Sequence, residues 1–275
     1  MNIKISGFSQ EQLLEMDPEM LLAIIREKAH CSVEVPLYQA IYRGKKLPPN
    51  FGTSLRDLLV VWEKRMLPGE RDDLKWCEAL LEMASQVKEG SKLKLPVQGI
   101  TYSKDQQQTI QQIIQSRRSV RVWQDKPVPE SMIEQVLKAG LWAPHSCNLQ
   151  TIRYIVLEGD AVKCLYQVKR LKGSPVCVII AQDMRPYECF QVSIPPYNQF
   201  LECGAAVQNM LLSAHSLGLG AVWLTFEKGE TEELRKLLNI SGYLSLITYI
   251  ALGWSAQGSL PPGRISVKEA RIYLE

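Results

Sequence analysis

The stretch Phe200-Leu-Glu-Cys-Gly-Ala-Ala-Val-Gln-Asn-Met-Leu-Leu-Ser-Ala-His-Ser-Leu217 is apolar on nearly every side when it is drawn as a helix. Its small residues are Gly204, Ala205, Ala206 and Ala214. A helix without a polar face belongs in the centre of a large core or at an interface between subunits. Gly218-Leu-Gly220 follows in the manner of a glycine C-cap and leads into a predicted strand over residues 221–225.

Helices and strands alternate on both sides of this helix. Ile152-Arg-Tyr-Ile-Val-Leu157 is rich in β-branched and aromatic residues, which is typical of a strand. Val176-Cys-Val-Ile-Ile-Ala181 is uniformly apolar, so we expect a strand that is buried on both faces. The other predicted elements are helices over residues 106–115, 130–142 and 231–238, the last capped by Thr231, and a final strand over residues 246–252.

A change of composition divides the chain. Residues 91–104 hold Gly, Ser and Pro between two helical patterns, and we interpret them as a linker. The patterns before the linker are mostly helical, with Asp17-Pro18 as a helix start, Ser54 as a cap for a helix over residues 55–66, and a helical stripe from Cys77 to Val87. We therefore expect a helical N-terminal extension of unknown role over residues 1–90 and a second domain over residues 105–275.

The composition is that of a globular protein, because 46% of the 275 residues are hydrophobic and 22% are charged. A net charge of +3 gives no reason to expect nucleic acid as a partner. No apolar run approaches the ~18 residues of a membrane span, and the first residues lack an apolar core followed by a cleavage site. Seven cysteines, an odd number without a CxxC pair, are typical of reduced thiols, so we expect a cytoplasmic protein without a membrane partner.

Three segments carry side chains suited to ligand binding. Arg117-Arg-Ser-Val-Arg121 offers forked donors to a phosphate or a conjugated carbonyl, although a solvated basic turn has the same composition. In Ala143-Pro-His-Ser-Cys-Asn-Leu-Gln150, the amides of Asn148 and Gln150 suit the edge of a heteroaromatic ring, or Asn148 merely satisfies its own backbone. The third segment, Gly253 to Arg264, is a turn-rich loop that ends in a single arginine.

Other reactive groups carry weaker signals. His30 and His215 lie in helical patterns, where we expect structural roles. No pair of His, Cys or carboxylate residues has the spacing of a metal site. Gly218-Leu-Gly220 lacks the strand–turn–helix order of a dinucleotide fingerprint. The sequence therefore predicts neither a metal centre nor a Rossmann site.

Taken together, the three segments resemble the flavin-dependent nitroreductase superfamily from about residue 106 to residue 268. The family has Arg-Arg-Ser-x-Arg after a helix, matched by residues 117–121, and then a step matched by Asp125-Lys-Pro-Val128. Its Ala-Pro-Ser-x-x-Asn-x-Gln-Pro motif is matched by residues 143–151, and its central helix by the stretch from Cys203 to Gly220. Its late strand and loop are matched by Ile250-Ala-Leu-Gly253 and Gly263-Arg264, so the segments occur in the family's order.

The resemblance implies FMN as the cofactor and places the phosphate of FMN first. Arg117 and Ser119 match positions that hold the phosphate and ribityl end, and Arg118 belongs to the same motif. Arg264 matches a C-terminal basic residue that binds the phosphate. A phosphate dianion favours bidentate guanidinium partners, which agrees with this assignment.

The resemblance also places the flavin ring. Arg121 matches the position near N1 and the C2 carbonyl, where a fixed guanidinium would stabilise the negative charge of the reduced ring. Asn148 matches an amide that contacts the ring, and Gln150 belongs to the same motif. The backbone around Leu224 and Thr225 is where we expect a donor to N5.

Three positions of the second segment need their own interpretation. His145 stands where the family has Ser, and it is either a proton donor to the substrate or a hydrogen-bonded loop residue. Thr151 stands where the family has Pro, which loosens a turn that is usually rigid. Cys147 is either a redox-active thiol or a small residue that fills space.

The resemblance implies an α+β fold, with a mixed central sheet flanked by helices, and a homodimer with its FMN pockets at the interface. It implies an oxidoreductase that transfers a hydride from NAD(P)H through the flavin to an electron-poor acceptor, of nitroaromatic or quinone type, in a ping-pong sequence. Two alternatives remain open. One is a specialised flavin enzyme on the same scaffold, for dehalogenation or flavin fragmentation. The other is a non-catalytic flavin-binding protein whose pocket the N-terminal region covers.

Overall fold

The structure is a computed structural model, and it describes residues 5–93, 95, 100–168, 173–189 and 194–273. For residues 164 and 166–168 the description covers the backbone alone. The described residues before position 90 build one hydrophobic core, and those after position 119 build two further cores on the two faces of a sheet.

Five α-helices form the N-terminal part of the chain. They are α1 (Gln10–Glu15), α2 (Pro18–Glu27), α3 (Val35–Arg43), α4 (Thr53–Lys64) and α5 (Asp72–Lys88), with a π-helix (Lys28–Glu34) between α2 and α3. Their common core includes the buried side chains of Leu21, Ile24, Leu58, Trp62 and Leu80. We call these elements the N-terminal helices.

The starts of these helices test two predicted caps. The Asp17 carboxylate accepts hydrogen bonds from the backbone N–H groups of Glu19 at 3.0 Å and Met20 at 3.3 Å, which confirms the predicted start of α2. The predicted cap at Ser54 is wrong, because α4 already begins at Thr53 and its N-cap residue is Gly52. Gly52 has a φ of +81°, a left-handed conformation that favours glycine.

The predicted linker lies between α5 and α6 (Lys104–Ser116). Its described residues up to Ser103 form no helix or strand, and its last residue, Lys104, already begins α6. Residues 94 and 96–99 lie outside the described part of the chain. The division of the chain at this point stays a prediction.

The sheet contains β1 (Ile152–Glu158), β2 (Val176–Asp183), β3 (Gly220–Leu224) and β4 (Leu244–Gly253) in the order β1-β2-β4-β3. Each neighbouring pair of these strands is antiparallel. Parallel pairing occurs in the isolated bridge between Ser119 and Ala221. The α+β class is confirmed. A mixed sheet was expected, and among the described strands the parallel pairing is limited to this single bridge.

Alternate residues of β2 enter different cores, because successive side chains of a strand point to opposite faces. Val178 and Ile180 lie in one core, and Cys177 and Ile179 lie in the other. Every residue of β2 is buried, which confirms the prediction from its uniformly apolar sequence.

Helices cover both faces of the sheet. The described helices after α6 are α7 (Glu130–Leu141), α8 (Asp160–Val168), α9 (Met184–Cys189), α10 (Asn198–Ser216), α11 (Glu230–Leu237) and α12 (Val267–Ala270). Side chains of α7 and α10 share one core with the sheet, and side chains of α8 and α11 share the other. None of the described helices is long and apolar enough to cross a membrane.

The central helix α10 packs against α7 at a glycine of α7. A Cβ atom added at Gly140 of α7 would lie 2.9 Å from Cγ of Met210 and 2.3 Å from the hydroxyl of Tyr154.

The predicted cap of α11 at Thr231 is wrong, because that helix begins at Glu230 after Gly229.

The N-terminal helices contact the part of the chain that contains the sheet through α2. Glu19 pairs with Arg153 of β1 at 3.1 Å, and Asp17 pairs with Arg185 of α9 at 3.1 Å. Ala23 packs into a small apolar cluster whose other buried members are Leu149, Tyr187 and Ile194. The contact therefore combines two ion pairs with apolar packing.

Candidate functional site

A cavity of about 290 Å³ brings together all the residues that the sequence predicts at the phosphate. Its lining consists of Arg117, Arg118, Ser119, Arg121, Ser259, Leu260, Pro262 and Arg264. We call this cavity the arginine pocket. The first arginine segment and the loop that ends at Arg264 meet here, although they are far apart in the sequence.

The backbone of the arginine segment is fixed against β3. Val120 donates its N–H to the carbonyl of Ala221 at 3.1 Å, and the indole of Trp123 donates to the carbonyl of Gly220 at 3.2 Å. A Cβ atom at Gly220 would lie 2.8 Å from the side chain of Val120, so glycine is required for this close approach. The pocket is therefore held by the sheet.

Gln257 is a positioning residue that the sequence analysis missed. Its side-chain oxygen accepts hydrogen bonds from the backbone N–H groups of Arg121 at 2.7 Å and Val122 at 3.0 Å. Its amide nitrogen donates to the carbonyl of Ser119 at 3.4 Å. These bonds tie the arginine segment to the C-terminal loop. The turn-rich sequence around Gln257 carries no local signal of a partner more than a hundred residues away.

The arginine pocket concentrates positive charge. Partial burial lowers the pKa of Arg117, and the like charges of Arg118 and Arg264 lower that pKa further. Guanidinium groups remain charged at neutral pH, so their mutual repulsion is relieved when an anion binds between them. Forked donors, a hydroxyl and excess positive charge fit the phosphate group of FMN.

A second cavity of about 280 Å³ adjoins the arginine pocket and shares Arg117 and Arg118 with it. It extends to His215, whose Nε2 lies 2.7 Å from the hydroxyl of Ser116. Partial burial and the two nearby arginines lower the pKa of His215. This hydrogen bond joins the ends of α6 and α10, which agrees with the expected structural role of His215.

The segment of residues 143–150, which we call the site loop, lies at a different cavity of about 300 Å³. The lining of that cavity consists of Pro144, His145, Ser146, Asn198, Leu201, Glu202 and Ala205. The structure therefore does not bring His145 together with the arginine pocket in one chain.

A buried carboxylate holds the site loop in place. Glu202 of α10 accepts hydrogen bonds from the backbone N–H of Ser146 and from the hydroxyl of Tyr187, both at 2.7 Å. Its second oxygen accepts from the amide of Gln182 at 3.3 Å. The sequence analysis did not single out Glu202. A charged residue inside an apolar helix was the available signal, because such residues are rarely buried without partners.

His145 lies beside this carboxylate with 5% of its side chain exposed, and its Nδ1 is 3.9 Å from Oε2 of Glu202. Burial lowers the pKa of His145, while the charge of Glu202 and a hydrogen bond to the backbone of Leu141 oppose the shift. Within the described part of the chain, Nδ1 has no hydrogen-bond partner. The imidazole is therefore neutral at pH 7.

The site loop has an unusual backbone. Cys147, Asn148 and Gln150 have φ values of +49°, +53° and +53°, in a region that residues other than glycine seldom adopt. The amide of Gln150 donates to the side-chain oxygen of Asn148 at 3.1 Å, so the two predicted ring-binding amides contact each other. Neither of them lines the arginine pocket.

Thr151, which stands where the family has proline, forms hydrogen bonds that connect the site loop to β2. It is buried, its hydroxyl accepts a hydrogen bond from the amide of Gln182, and its carbonyl accepts from the N–H of Asp183 at 2.9 Å. The predicted loosening of this turn is therefore offset by hydrogen bonds between the loop and β2.

The predicted N5 contacts lie at the far end of β3. Leu224 is the last residue of this strand, and Thr225 follows it exposed. Leu224 is four residues beyond Gly220, which is roughly 13 Å along a strand. Neither residue lines the arginine pocket, and their role toward a flavin stays a prediction.

The described residues hold no group of three or more His, Cys, Asp or Glu side chains arranged for a metal ion. The fold and the arginine pocket define an α+β protein in which residues 117–121 and the C-terminal loop together form a positively charged pocket. The sequence profile of the nitroreductase family matches residues 114–171 and 159–254. The chain belongs to the nitroreductase family.

Named relatives agree with this assignment. The chain is 32% identical over 169 residues to an NADH dehydrogenase/NAD(P)H nitroreductase of Methanothermobacter thermautotrophicus, covering 59% of this chain and 84% of the relative. It is 24% identical over 182 residues to an FMN reductase [NAD(P)H] of Bacillus subtilis, covering 57% and 71% of the two chains. The crystal structure of a nitroreductase of Desulfovibrio desulfuricans in complex with FMN is 31% identical, with a TM-score of 0.54 over 64% of this chain and 99% of the other.

Proposed function

We propose that the protein is an FMN-dependent oxidoreductase that uses NADH or NADPH to reduce an electron-poor acceptor of nitroaromatic or quinone type. The observation that carries this proposal is the arginine pocket, in which Arg117, Arg118, Arg121 and Arg264 converge beside Ser119. Family membership and the FMN-bound relative from Desulfovibrio desulfuricans support the same cofactor.

The proposed roles follow from the chemistry of the residues. Arg117, Arg118 and Arg264 bind the phosphate, with the hydroxyl of Ser119 as a further donor. Arg121 lies in the same cavity, its backbone N–H is bonded to Gln257, and we assign its guanidinium to the edge of the flavin ring. When bound, FMN supplies hydride transfer from the nicotinamide to the acceptor in two successive half-reactions.

We further propose that the working form is a homodimer. The arginine pocket and the site loop lie at separate cavities of one chain, so a single chain offers two half-sites. Pairing with a second copy would join one chain's arginine pocket to the other chain's site loop, which carries Asn148 and Gln150. Exposed apolar side chains provide the surface for this pairing. They are Ile110, Ile114, Trp142, Phe200, Leu201, Leu260, Ile265 and Val267.

Within the described residues of one chain, the N-terminal helices do not line the arginine pocket. All residues that line the arginine pocket come from positions 117–264. The N-terminal helices instead contact the site loop through Ala23 and Leu149, and the strand β1 through Glu19 and Arg153. The relatives, which include an NAD(P)H nitroreductase and an FMN reductase, support a catalytic protein over a non-catalytic flavin-binding protein.

The test is the retention of FMN by the purified protein. We expect a yellow protein that releases FMN on denaturation and oxidises NADH or NADPH in the presence of a quinone. Arg117→Ala should weaken FMN binding about 10–100-fold, because a charged hydrogen bond contributes about 1.5–3 kcal/mol. The control is Arg43→Ala at the exposed end of α3, which should bind FMN as the wild type does.

Arg121→Ala separates the two proposed roles of the arginines. We expect this variant to keep most of its FMN and to lower the reduction potential of the flavin, because the positive charge beside the reduced ring is lost. A colourless protein that cannot be reconstituted with FMN would contradict the proposed cofactor. Equal and negligible effects of both substitutions would contradict the assignment of residues.

A further inference from the structure

The guanidinium of Arg153 joins the N-terminal helices to the site loop. Arg153 is the second residue of β1, the strand that follows the loop. Its Nη1 donates hydrogen bonds to the carbonyls of Gln150 and Ile152, both at 3.0 Å, and its Nη2 donates to Oε2 of Glu19 at 3.1 Å. Glu19 lies in the first turn of α2. One side chain therefore bonds at the same time to α2 and to the backbone of the loop.

The loop residue that Arg153 contacts has an unfavourable backbone conformation. Gln150 has a φ of +53°, which is costly for a residue with a Cβ atom. Its side-chain amide donates to Oδ1 of Asn148 at 3.1 Å, so the two predicted ring-binding amides are linked. Leu149, between these two residues, packs in one apolar cluster with Ala23 of α2. A donor on the Gln150 carbonyl therefore stabilises the loop conformation in which the two amides pair.

A second ion pair at the same contact provides a comparison. Oδ2 of Asp17 lies 3.1 Å from Nη1 of Arg185, the same distance as in the pair of Glu19. The Asp17 side chain is 46% exposed and the Glu19 side chain is 44% exposed. The guanidinium of Arg185 donates its other bonds to the carboxylate of Asp183 at the end of β2. The two ion pairs are thus alike in length and exposure, and only that of Glu19 involves an arginine bonded to the described site loop.

We propose that Glu19 and Arg153 are positioning residues that hold the site loop in the conformation that binds the flavin ring. Glu19 fixes the guanidinium of Arg153, and this guanidinium fixes the carbonyl of Gln150. The N-terminal helices thereby act on cofactor binding without contributing a residue to the arginine pocket. This inference rests on the proposed function, which assigns the site loop to the flavin.

Two variants that each remove one charge from α2 test the proposal. Glu19→Gln keeps the shape of the side chain, and we expect it to bind FMN about two- to fivefold more weakly, as is typical of a half-exposed ion pair. The matched control is Asp17→Asn, which loses the charge beside Arg185 and keeps the oxygen that caps α2. The control should bind FMN as the wild type does. Dilution of the full-length holoprotein, followed by flavin fluorescence, gives the dissociation constant.

The melting temperature separates positioning from simple stabilisation. Both variants lose one ion pair of the same kind, so we expect small and similar decreases in melting temperature. A difference between them in FMN binding then reports the link of Arg153 to the loop. Arg153→Met should weaken FMN binding further, about tenfold, because the Gln150 carbonyl loses a charged donor.

Hydrogen–deuterium exchange of the site loop separates this proposal from the proposed function. In the full-length proteins as purified, the backbone amides of residues 146–150 should exchange faster in Glu19→Gln than in the wild type, and Asp17→Asn should match the wild type. Unchanged exchange in Glu19→Gln would overturn the proposal, as would equal effects of the two variants on FMN binding. A wild type that binds no FMN would contradict the proposed function, and with it the assignment of this pair to flavin positioning.

Discussion

The buried imidazole of His145 makes the stability of the protein sensitive to acid. Burial lowers its pKa in the folded protein below the usual value, while the unfolded chain exposes the side chain to water. The unfolded state therefore binds a proton at a higher pH than the folded state. The contribution of His145 to stability is fully present above the ordinary histidine pKa and is lost as the pH falls through the folded-state pKa.

We expect His145→Gln to be less sensitive to acid than the wild type. The melting temperature of the wild type should fall between pH 7.5 and pH 5.5, and the variant should show a smaller fall, because glutamine does not titrate. Differential scanning calorimetry of both proteins at the two pH values measures the difference. A fall of equal size in both proteins would show that the imidazole titrates alike in the folded and unfolded states.

Single residues of the site differ in how far the sequence reveals them. The family motif predicts that Arg117, Ser119, Arg121 and Arg264 belong to one site, and all four line one cavity. Their contacts with FMN stay a prediction. The role of Glu202 was not predictable in the same way, since it depends on hydrogen bonds with loops and strands that fold back onto α10.

The packing of α7 on α10 depends on the absence of a side chain at one position. Gly140 of α7 lies against Met210 of α10 and Tyr154 of β1, and a Cβ atom there would lie 2.3 Å from the tyrosine hydroxyl. Such a distance requires a shift of the helix or of the tyrosine. The close approach of the two helices is thus specified by this glycine.

Gly140→Ala should therefore destabilise the protein, although alanine is usually better than glycine inside a helix by about 1 kcal/mol. Overpacking of a core costs about 1–3 kcal/mol, so we expect the free energy of unfolding to fall by an amount in that range. Urea denaturation followed by circular dichroism measures the change. The control is Gly242→Ala, where a Cβ atom would meet nothing within 4 Å. A stabilised Gly140→Ala variant would mean that the helices are further apart than described.

The helices and strands were predictable in kind, and their ends were less so. The strand predicted over residues 152–157 extends to Glu158, and the helix predicted over residues 106–115 extends from Lys104 to Ser116. Apolar periodicity marks the middle of an element, whereas its ends depend on fraying and capping. The caps proposed at Ser54 and Thr231 failed because glycines in left-handed conformations precede both helices.

Several large apolar side chains are exposed on the surface of the single chain. Leu201 of α10 is 63% exposed, and Leu260 in the C-terminal loop is 90% exposed. None of the side chains of α6 is buried, although Ile110 and Ile114 lie on it. A monomer seldom leaves such a surface in water, so the proposed second copy has an energetic basis.

Leu201→Glu should shift the protein from dimer to monomer, because a carboxylate at the proposed interface would lose its hydration on pairing. The same variant should retain less FMN, since each proposed site needs residues from two chains. Light scattering coupled to size-exclusion chromatography gives the mass. Tyr42→Glu is the matched control, because Tyr42 is 64% exposed on α3. A wild type that is monomeric and holds FMN would contradict the two-chain site.

The way in which the N-terminal helices pack against the rest of the chain could not be predicted from the sequence. The N-terminal helices were predicted, but nothing in the pattern indicated that Glu19 pairs with Arg153 or that Asp17 pairs with Arg185. Ion pairs between distant segments depend on which surfaces meet. The sequence contains both residues of such a pair, but no local pattern identifies them as partners.

The left-handed backbone of the site loop limits how this protein can diverge. At positions 147, 148 and 150 the positive φ restricts the choice of residue, in addition to any contact that the side chain makes. Glycine, asparagine and aspartate adopt this conformation readily, whereas valine and isoleucine do not. Substitutions at these three positions would therefore be tolerated only for a few residue types, mainly small or flexible ones. New binding specificities would arise more easily at the neighbouring positions 145 and 146, where the backbone admits any side chain.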